Sequence, residues 1–365
     1  MNDVFMKKIT RRSFLESTCR LCCHIGMPLI VLGYLNTSFE NGKNKTEANA
    51  PDTPDFESAY LKLHRTGELR ERAEKLRTFM TECRLCPRKC GVNRLKGEVG
   101  GCRSPGATLV IASATQHFGE ERPLVGRGGS GTIFLSHCGL RCVFCQNWEI
   151  SHLGRGGRRK ENDLSEMMLR LQRTGCHNIN LVTPTHYSAS ILAALDIAAG
   201  RGLRLPVVYN TCGWERLEIL EILDGIVDIY LPDFKFWDND MAARFTAGAK
   251  DYPEVTRDAI LEMHRQVGVA RTPKDGIMRR GLMIRHLVMP NNTAGSGKIM
   301  KWIAESLPKD TYVNIMAQYN PLHKAYDYPE LSRRITRDEY QQVVRSAEQA
   351  GLTNLDIQTA WRLRR

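Results

Sequence analysis

Three cysteines within eight residues constrain this chain more than any other feature. Cys138, Cys142 and Cys145 have the spacing C-x3-C-x2-C and follow the run Gly129-Ser130-Gly131-Thr132-Ile133-Phe134-Leu135-Ser136-His137. That run reads as a Gly-led turn followed by a short buried strand, so the thiols fall in the loop behind it. Gaps of two and three residues suggest metal binding rather than a disulfide framework. A structural zinc ion wants four ligands, and His137 could complete such a set. A four-iron cluster on three thiolates instead leaves one iron open to an external ligand, where chemistry can occur.

A second set lies upstream. Cys83, Cys86, Cys90 and Cys102 follow C-x2-C-x3-C-x11-C, with Arg84, Arg88, Lys89, Arg94 and Arg103 among them. Four thiolates suit either structural zinc or an iron–sulfur cluster. The cations would offset their charge and lower the thiol pKa values. The alternative is four reduced structural cysteines. Gly91, Gly97, Gly100, Gly101 and Gly106 make the segment a tight knuckle, which a metal would stabilise. Cys176 and Cys212 stand alone and read as buried apolar thiols.

The remaining composition is that of an ordinary globular chain, with 42% hydrophobic and 25% charged residues. This excludes disordered, collagen-like and multi-span membrane classes. The net charge of +12 permits an acidic partner. No basic–aromatic stripe of the kind that stacks bases accompanies it, so nucleic acid is not the expected partner.

The N-terminus reads as an address. Lys7 and Lys8 precede Thr10-Arg11-Arg12-Ser13-Phe14-Leu15, and the segment 21–35 holds no Asp, Glu, Lys or Arg. This resembles a twin-arginine export signal, with Glu16 departing from the usual following Lys. Ala48-Asn49-Ala50 is A-x-A-like, but it lies far downstream and Pro51 follows it. Cys19, Cys22 and Cys23 read as apolar filler. Residues 36–58 read as a linker, and residues 59–80 as a solvated amphipathic helix. The expected organisation is a targeting segment and linker over 1–50, a helix and Cys-rich metal knuckle over 51–105, and a partial barrel over 106–365.

From about residue 80 to 360 the sequence resembles the radical S-adenosylmethionine superfamily, in particular an uncharacterised branch related to pyruvate formate-lyase activating enzymes. The residues that carry this are Cys138, Cys142, Cys145 and Phe144, with Cys83-x2-Cys86-Pro87-Arg88-x-Cys90-Gly91-Val92-Asn93-Arg94-Leu95. Gly119-Glu120-Glu121, Gly129-Ser130-Gly131 and Cys145-Gln146-Asn147 add to it. The resemblance implies a [4Fe-4S] cluster on Cys138, Cys142 and Cys145, with S-adenosylmethionine chelating the open iron. It also implies reductive cleavage to a 5′-deoxyadenosyl radical that abstracts hydrogen from a substrate, using a low-potential electron donor.

Downstream, strand-like runs at 178–182, 206–209, 227–231, 282–289, 312–316 and 354–357 alternate with helical patterns. Alternation of this kind argues parallel βαβ units. Counted from Gly131, there are six or seven, which suits an α/β fold with a partial (β/α)6 TIM-like barrel, the family's fold. Asp163 with Glu166 marks one helix start, and Thr336 with Glu339 is a capping box. Barrel active sites lie at strand C-terminal ends. That rule nominates Thr183, Thr185 and His186 as cofactor-binding residues, together with Asn210, Asp233 and Lys235. Asp233 and Lys235 resemble the family's D-x-K element. Many superfamily members carry Gly-Gly-Glu where this chain reads Thr183-Pro184-Thr185-His186, so a different polar set is expected there.

The expected function is a radical S-adenosylmethionine enzyme that activates a glycyl-radical protein or modifies a protein or small molecule. The alternative is an iron–sulfur electron-transfer or metal-binding module without S-adenosylmethionine cleavage. The export-like signal stands against a cytoplasmic supply of S-adenosylmethionine and electrons. The expected location is therefore at a membrane, held through the N-terminus, with export or a cytoplasmic location as the other outcomes.

Overall fold

In the computed structural model, residues 56–358 are described. Nine strands form one sheet: β1 (Leu109–His117), β2 (Ser130–Leu135), β3 (Gly157–Arg159), β4 (Ile179–Val182), β5 (Val207–Thr211), β6 (Ile229–Pro232), β7 (Gly281–Leu287), β8 (Tyr312–Met316) and β9 (Leu355–Ile357). Their order is β3-β1-β2-β4-β5-β6-β7-β8-β9. From β2 to β9 every neighbour is parallel, while β1 runs antiparallel to β2 and β3. A doubly wound sheet reverses its order at a switch point. From β2 through β4 to β9 the order never reverses, so successive right-handed crossovers stack helices on one face and curl the sheet as in a barrel. Among the described residues no strand pair closes β9 onto β3, so the barrel is partial. The expected α/β partial barrel is thus the observed fold, with seven parallel strands.

Alternation along the strands divides the core into two layers. Ile133, Leu181, Tyr209, Tyr230 and Ile284 face the helices. Val208, Ile229, Leu231, Met283 and Tyr312 face the barrel interior. There they meet Leu124 of α3 (Arg122–Val125), which plugs the interior. Asn178 Nδ2 donates to the Leu124 carbonyl at 2.8 Å, tying the plug to β4.

Several sequence expectations need correction. The stretch 59–80 is two helices, α1 (Tyr60–Thr66) and α2 (Glu68–Thr78), not one. Gly67 breaks it at φ +83°, a conformation that glycine adopts without steric cost. Nor is that segment simply solvated, because Tyr60, Leu69 and Leu76 are fully buried in the core. The linker does not reach residue 58, since buried Ser58 donates to the Arg204 carbonyl at 2.6 Å. Strands β1 and β3 were not expected.

The helix expected from Asp163 and Glu166 begins earlier, as α5 (Glu161–Arg173), after α4 (Trp148–Ser151). Asp163 sits at the third position and accepts from the Lys160 backbone N–H at 2.8 Å. Next come α6 (Ser188–Gly200), α7 (Leu217–Leu223), α8 (Asn239–Phe245), α9 (Tyr252–Val267), α10 (Ser296–Ser306) and α11 (Arg337–Gln349). The Thr336–Glu339 capping box opens α11 as expected. The signal-like segment, with Cys19, Cys22 and Cys23, lies outside the described residues. Among the described residues no helix is long and apolar enough to cross a membrane.

Candidate active site

The C-x3-C-x2-C loop leaves β2 at the C-terminal end of the parallel sheet. Two left-handed residues shape it, His137 at φ +72° and Arg141 at φ +49°. Non-glycine residues in this region cost about 1 kcal/mol or more each and cluster at functional sites. The surroundings hold the strained loop. Val143 N–H donates to Phe245, Ala247 N–H to Leu140, and Lys324 N–H to Val143, each at 2.9 Å. Gln146 Nε2 reaches the Gln318 carbonyl at 2.9 Å, which joins the loop to the end of β8.

The three thiols differ in environment. A hydrogen bond with Cys212 holds Cys138 down to about 6 against burial, aided by the backbone N–H groups of Arg141 and Leu140 and by the charge of Lys235. Burial pushes Cys142 and Cys145 up, and the Ser151 hydroxyl lies 3.1 Å from the Cys145 sulfur. Cys212 was expected to be an inert buried thiol. It instead follows β5 directly and reaches the Cys138 sulfur. Nothing in its local sequence signals that, because the contact depends on how β5 lies two strands from β2.

The upstream knuckle packs against this loop. Arg88 joins them, donating from Nη2 to the Gly139 carbonyl at 2.9 Å and to the Ala247 carbonyl at 3.0 Å. A Cβ on Gly139 would lie 3.7 Å from the Cys86 sulfur, and one on Gly100 only 2.5 Å from the Cys90 sulfur. Bare glycines therefore line the thiols of the knuckle. Burial pushes Cys86 up to about 12 and raises Cys83 and Cys102. Arg94 is fully buried and donates from Nε to the Gly106 carbonyl and from Nη2 to the Ser104 hydroxyl, at 2.8 and 2.9 Å, bracing the knuckle from below.

Among the described residues, no three His, Cys, Asp or Glu side chains are gathered as ligands of a metal ion, and the described cysteines are free. The fit to a cluster therefore rests on the donor set. Three soft sulfur donors share one braced, largely buried loop, and four more share one knuckle.

The other nominated residues fall into two groups. Asn210 lies one residue before the end of β5 and accepts from Arg285 Nη1 at 3.2 Å. Lys235 Nζ donates to Asp233 at 2.5 Å. Burial opposes the charge on Lys235, but Asp233 and Cys142 outweigh it and hold the ammonium above its ordinary pKa. These three residues gather with Arg285 on the barrel side. Asp233 also pairs with Arg285 as neighbours across β6 and β7.

Thr183, Thr185 and His186 are arranged differently. Thr183 is left-handed at φ +62° and donates its N–H to Asn210. Thr185 turns its hydroxyl to Glu215 at 2.5 Å. His186 is buried, with Nε2 2.9 Å from the Ser136 carbonyl, and burial followed by the Arg94 charge pushes it down to about 3. It braces β2 as a neutral ring.

Sequence reasoning missed Glu215 and the charged group around Arg285. Glu215 accepts from Thr185 and Thr211, and burial pushes it up to about 7. Arg285 pairs with both Glu120 and Glu121. Gly119-Glu120-Glu121 had been noted only as a motif, and its partner lies 164 residues away.

No family model matches the chain. Among the solved structures similar to it, SuiB of Streptococcus suis bound to precursor peptide SuiA is 12% identical, covering 60% of this chain and 46% of SuiB, with a TM-score of 0.42. The chain thus spans under half the length of SuiB. A radical SAM methyltransferase from Sphaerobacter thermophilus is 12% identical, covering 81% of this chain and 91% of that one, with a TM-score of 0.43. These likenesses are too remote to carry an argument. A relative in sequence is nearer: a protein of Methanocaldococcus jannaschii matches at 31% identity over 315 residues, 84% of this chain and 85% of its own. With that identity over that span, the chain belongs to the same family as the uncharacterized protein MJ0674.

Proposed function

We propose that this protein is a radical S-adenosylmethionine enzyme. The observation that carries the reading is the position of Cys138, Cys142 and Cys145. They lie in one braced loop, at the C-terminal end of the first strand of a parallel, barrel-like sheet, where such folds place their chemistry. When bound there, a [4Fe-4S] cluster with S-adenosylmethionine supplies one-electron cleavage of the sulfonium and a 5′-deoxyadenosyl radical. The chain's own residues position and shield. Cys138, Cys142 and Cys145 would hold the iron, with the Ser151 hydroxyl beside the Cys145 sulfur and Cys212 bonded to the Cys138 sulfur. Lys235 and Asp233 place a fixed ion pair beside Cys142, and Asn210 offers an amide at the neighbouring strand end. Phe144, Phe236 and Tyr319 pack together behind the loop and keep water from it.

The finer placement, beside pyruvate formate-lyase activating enzymes, is supported by the Cys83–Leu95 pattern and by Gly119-Glu120-Glu121. On that reading the substrate is a glycyl-radical protein or another protein or small molecule. The knuckle then carries a second iron–sulfur cluster or zinc, and a low-potential donor supplies the electron. Membrane association through the N-terminus completes the proposal.

The test is anaerobic reconstitution followed by dithionite and S-adenosylmethionine. The native chain forms 5′-deoxyadenosine, and Cys142→Ala forms none. Equal, background-level product from both would end this reading.

A further inference from the structure

The barrel interior carries a polar layer that this function does not yet use. Arg285 on β7 donates to both oxygens of Glu121, from Nε at 2.6 Å and Nη2 at 2.7 Å, and from Nη2 to Glu120. Asn314 on β8 donates from Nδ2 to Glu121 at 2.8 Å. Burial opposes the Glu121 charge, but Arg285 outweighs it and keeps the carboxyl below its ordinary range. Tyr312, in the same interior layer, bonds Asp356 of β9 at 2.8 Å. Apart from the Asp233–Lys235 pair already placed at the cofactor, three carboxylates (Glu120, Glu121 and Asp356) thus share this layer with one cation, Arg285. The layer is acidic inside a chain of net charge +12.

A second observation points to a ligand. Asn314 is 6% exposed and Asn180 fully buried, yet Asn314 Oδ1 and both polar atoms of Asn180 lack a partner. Asn180 pairs with Val208, which faces the interior, so in a parallel ladder its side chain faces the interior too. A buried polar group left unpaired loses its hydrogen bonds to water with nothing in return, so a polar occupant is expected.

We infer that this layer, floored by Glu120, Glu121, Arg285 and Asn314, with Asn180 on the same interior face of the sheet, is a substrate site for a cationic group, an ammonium or guanidinium on the substrate. The inference rests on the proposed enzymatic reading. Excess carboxylate supplies the charge complement, and the two asparagine amides supply hydrogen bonds to the polar atoms beside it. An anionic group there would meet the carboxylates at close range with water excluded.

The test is calorimetric binding to the full chain, reconstituted anaerobically, at low ionic strength. The probes are agmatine, n-pentylamine and pentanoate. The cationic probes bind and pentanoate does not, and Glu120→Gln weakens the cations at least about tenfold. Pentanoate binding as well as the amines, or amine binding unchanged in Glu120→Gln, would overturn the inference. So would agmatine being displaced by S-adenosylmethionine, because the layer would then serve the cofactor. The wild-type panel decides alone if the variant loses its cooperative melting. A paramagnetic response to S-adenosylmethionine in the same sample separates the two claims. Response without cation binding removes only this inference, and cation binding without response removes only the enzymatic reading.

Discussion

Glu215 shows how one buried carboxyl ties a site together. It is 1% exposed and accepts hydrogen bonds from the Thr185 hydroxyl, in the turn after β4, and from the Thr211 hydroxyl at the end of β5. Its pKa is raised from 4.5 to about 7, so between those values the folded state binds more protons than the unfolded chain. Stability therefore falls as pH rises from about 4.5 and levels off above about 7. Asp228, which accepts from Val207 and Ala59 and is likewise pushed up to about 7, acts in the same direction. Measured against the parent, Glu215→Gln should remove the fall that Glu215 itself contributes between pH 5 and pH 8, about 2 kcal/mol. An unchanged slope would contradict this account. The cysteine spacing was legible in the sequence because the ligands are local. Glu215 was not, because one of its two partner hydroxyls, Thr185, lies 30 residues upstream in the turn after β4.

At the scale of elements, the parallel strands and the α11 capping box were readable because period and capping are local signals. Strand β3, three residues of Gly and Arg, carries no apolar period at all. It exists because β1 offers it an edge. The α1–α2 pair was misread as solvated because its charges outnumber its apolar residues, although those few residues are the ones that pack. Leu76→Ala should therefore cost about 2–5 kcal/mol by denaturant titration, well above a surface change. Gly213, at φ +84°, lies where an added Cβ would meet the Asp233 carbonyl at 2.2 Å. Gly213→Ala should destabilise the fold and displace the β5 and β6 ends. Loss of the Asp233–Lys235 pair would be read from the chemical shift of the Lys235 side chain. A variant as stable as the parent would show that this close approach is not needed.

At the scale of the molecule, one parallel sheet brings five strand ends and the knuckle to a single mouth. The knuckle meets the Cys138 loop through Arg88 and bare Gly139, so the two cysteine sets are neighbours although 36 residues separate Cys102 from Cys138. If the knuckle holds a metal, Cys86→Ser should lower metal content by one full site and lower the melting temperature, since metal binding there is folding energy. The central claim is an open iron at Cys138, Cys142 and Cys145. Electron paramagnetic resonance of the reduced, anaerobically reconstituted full chain, with and without S-adenosylmethionine, tests it most directly. The expected result is a four-iron signal that changes when S-adenosylmethionine is added, with the responsive part lost in Cys142→Ala. A signal indifferent to S-adenosylmethionine would contradict it and leave an iron–sulfur protein of another kind.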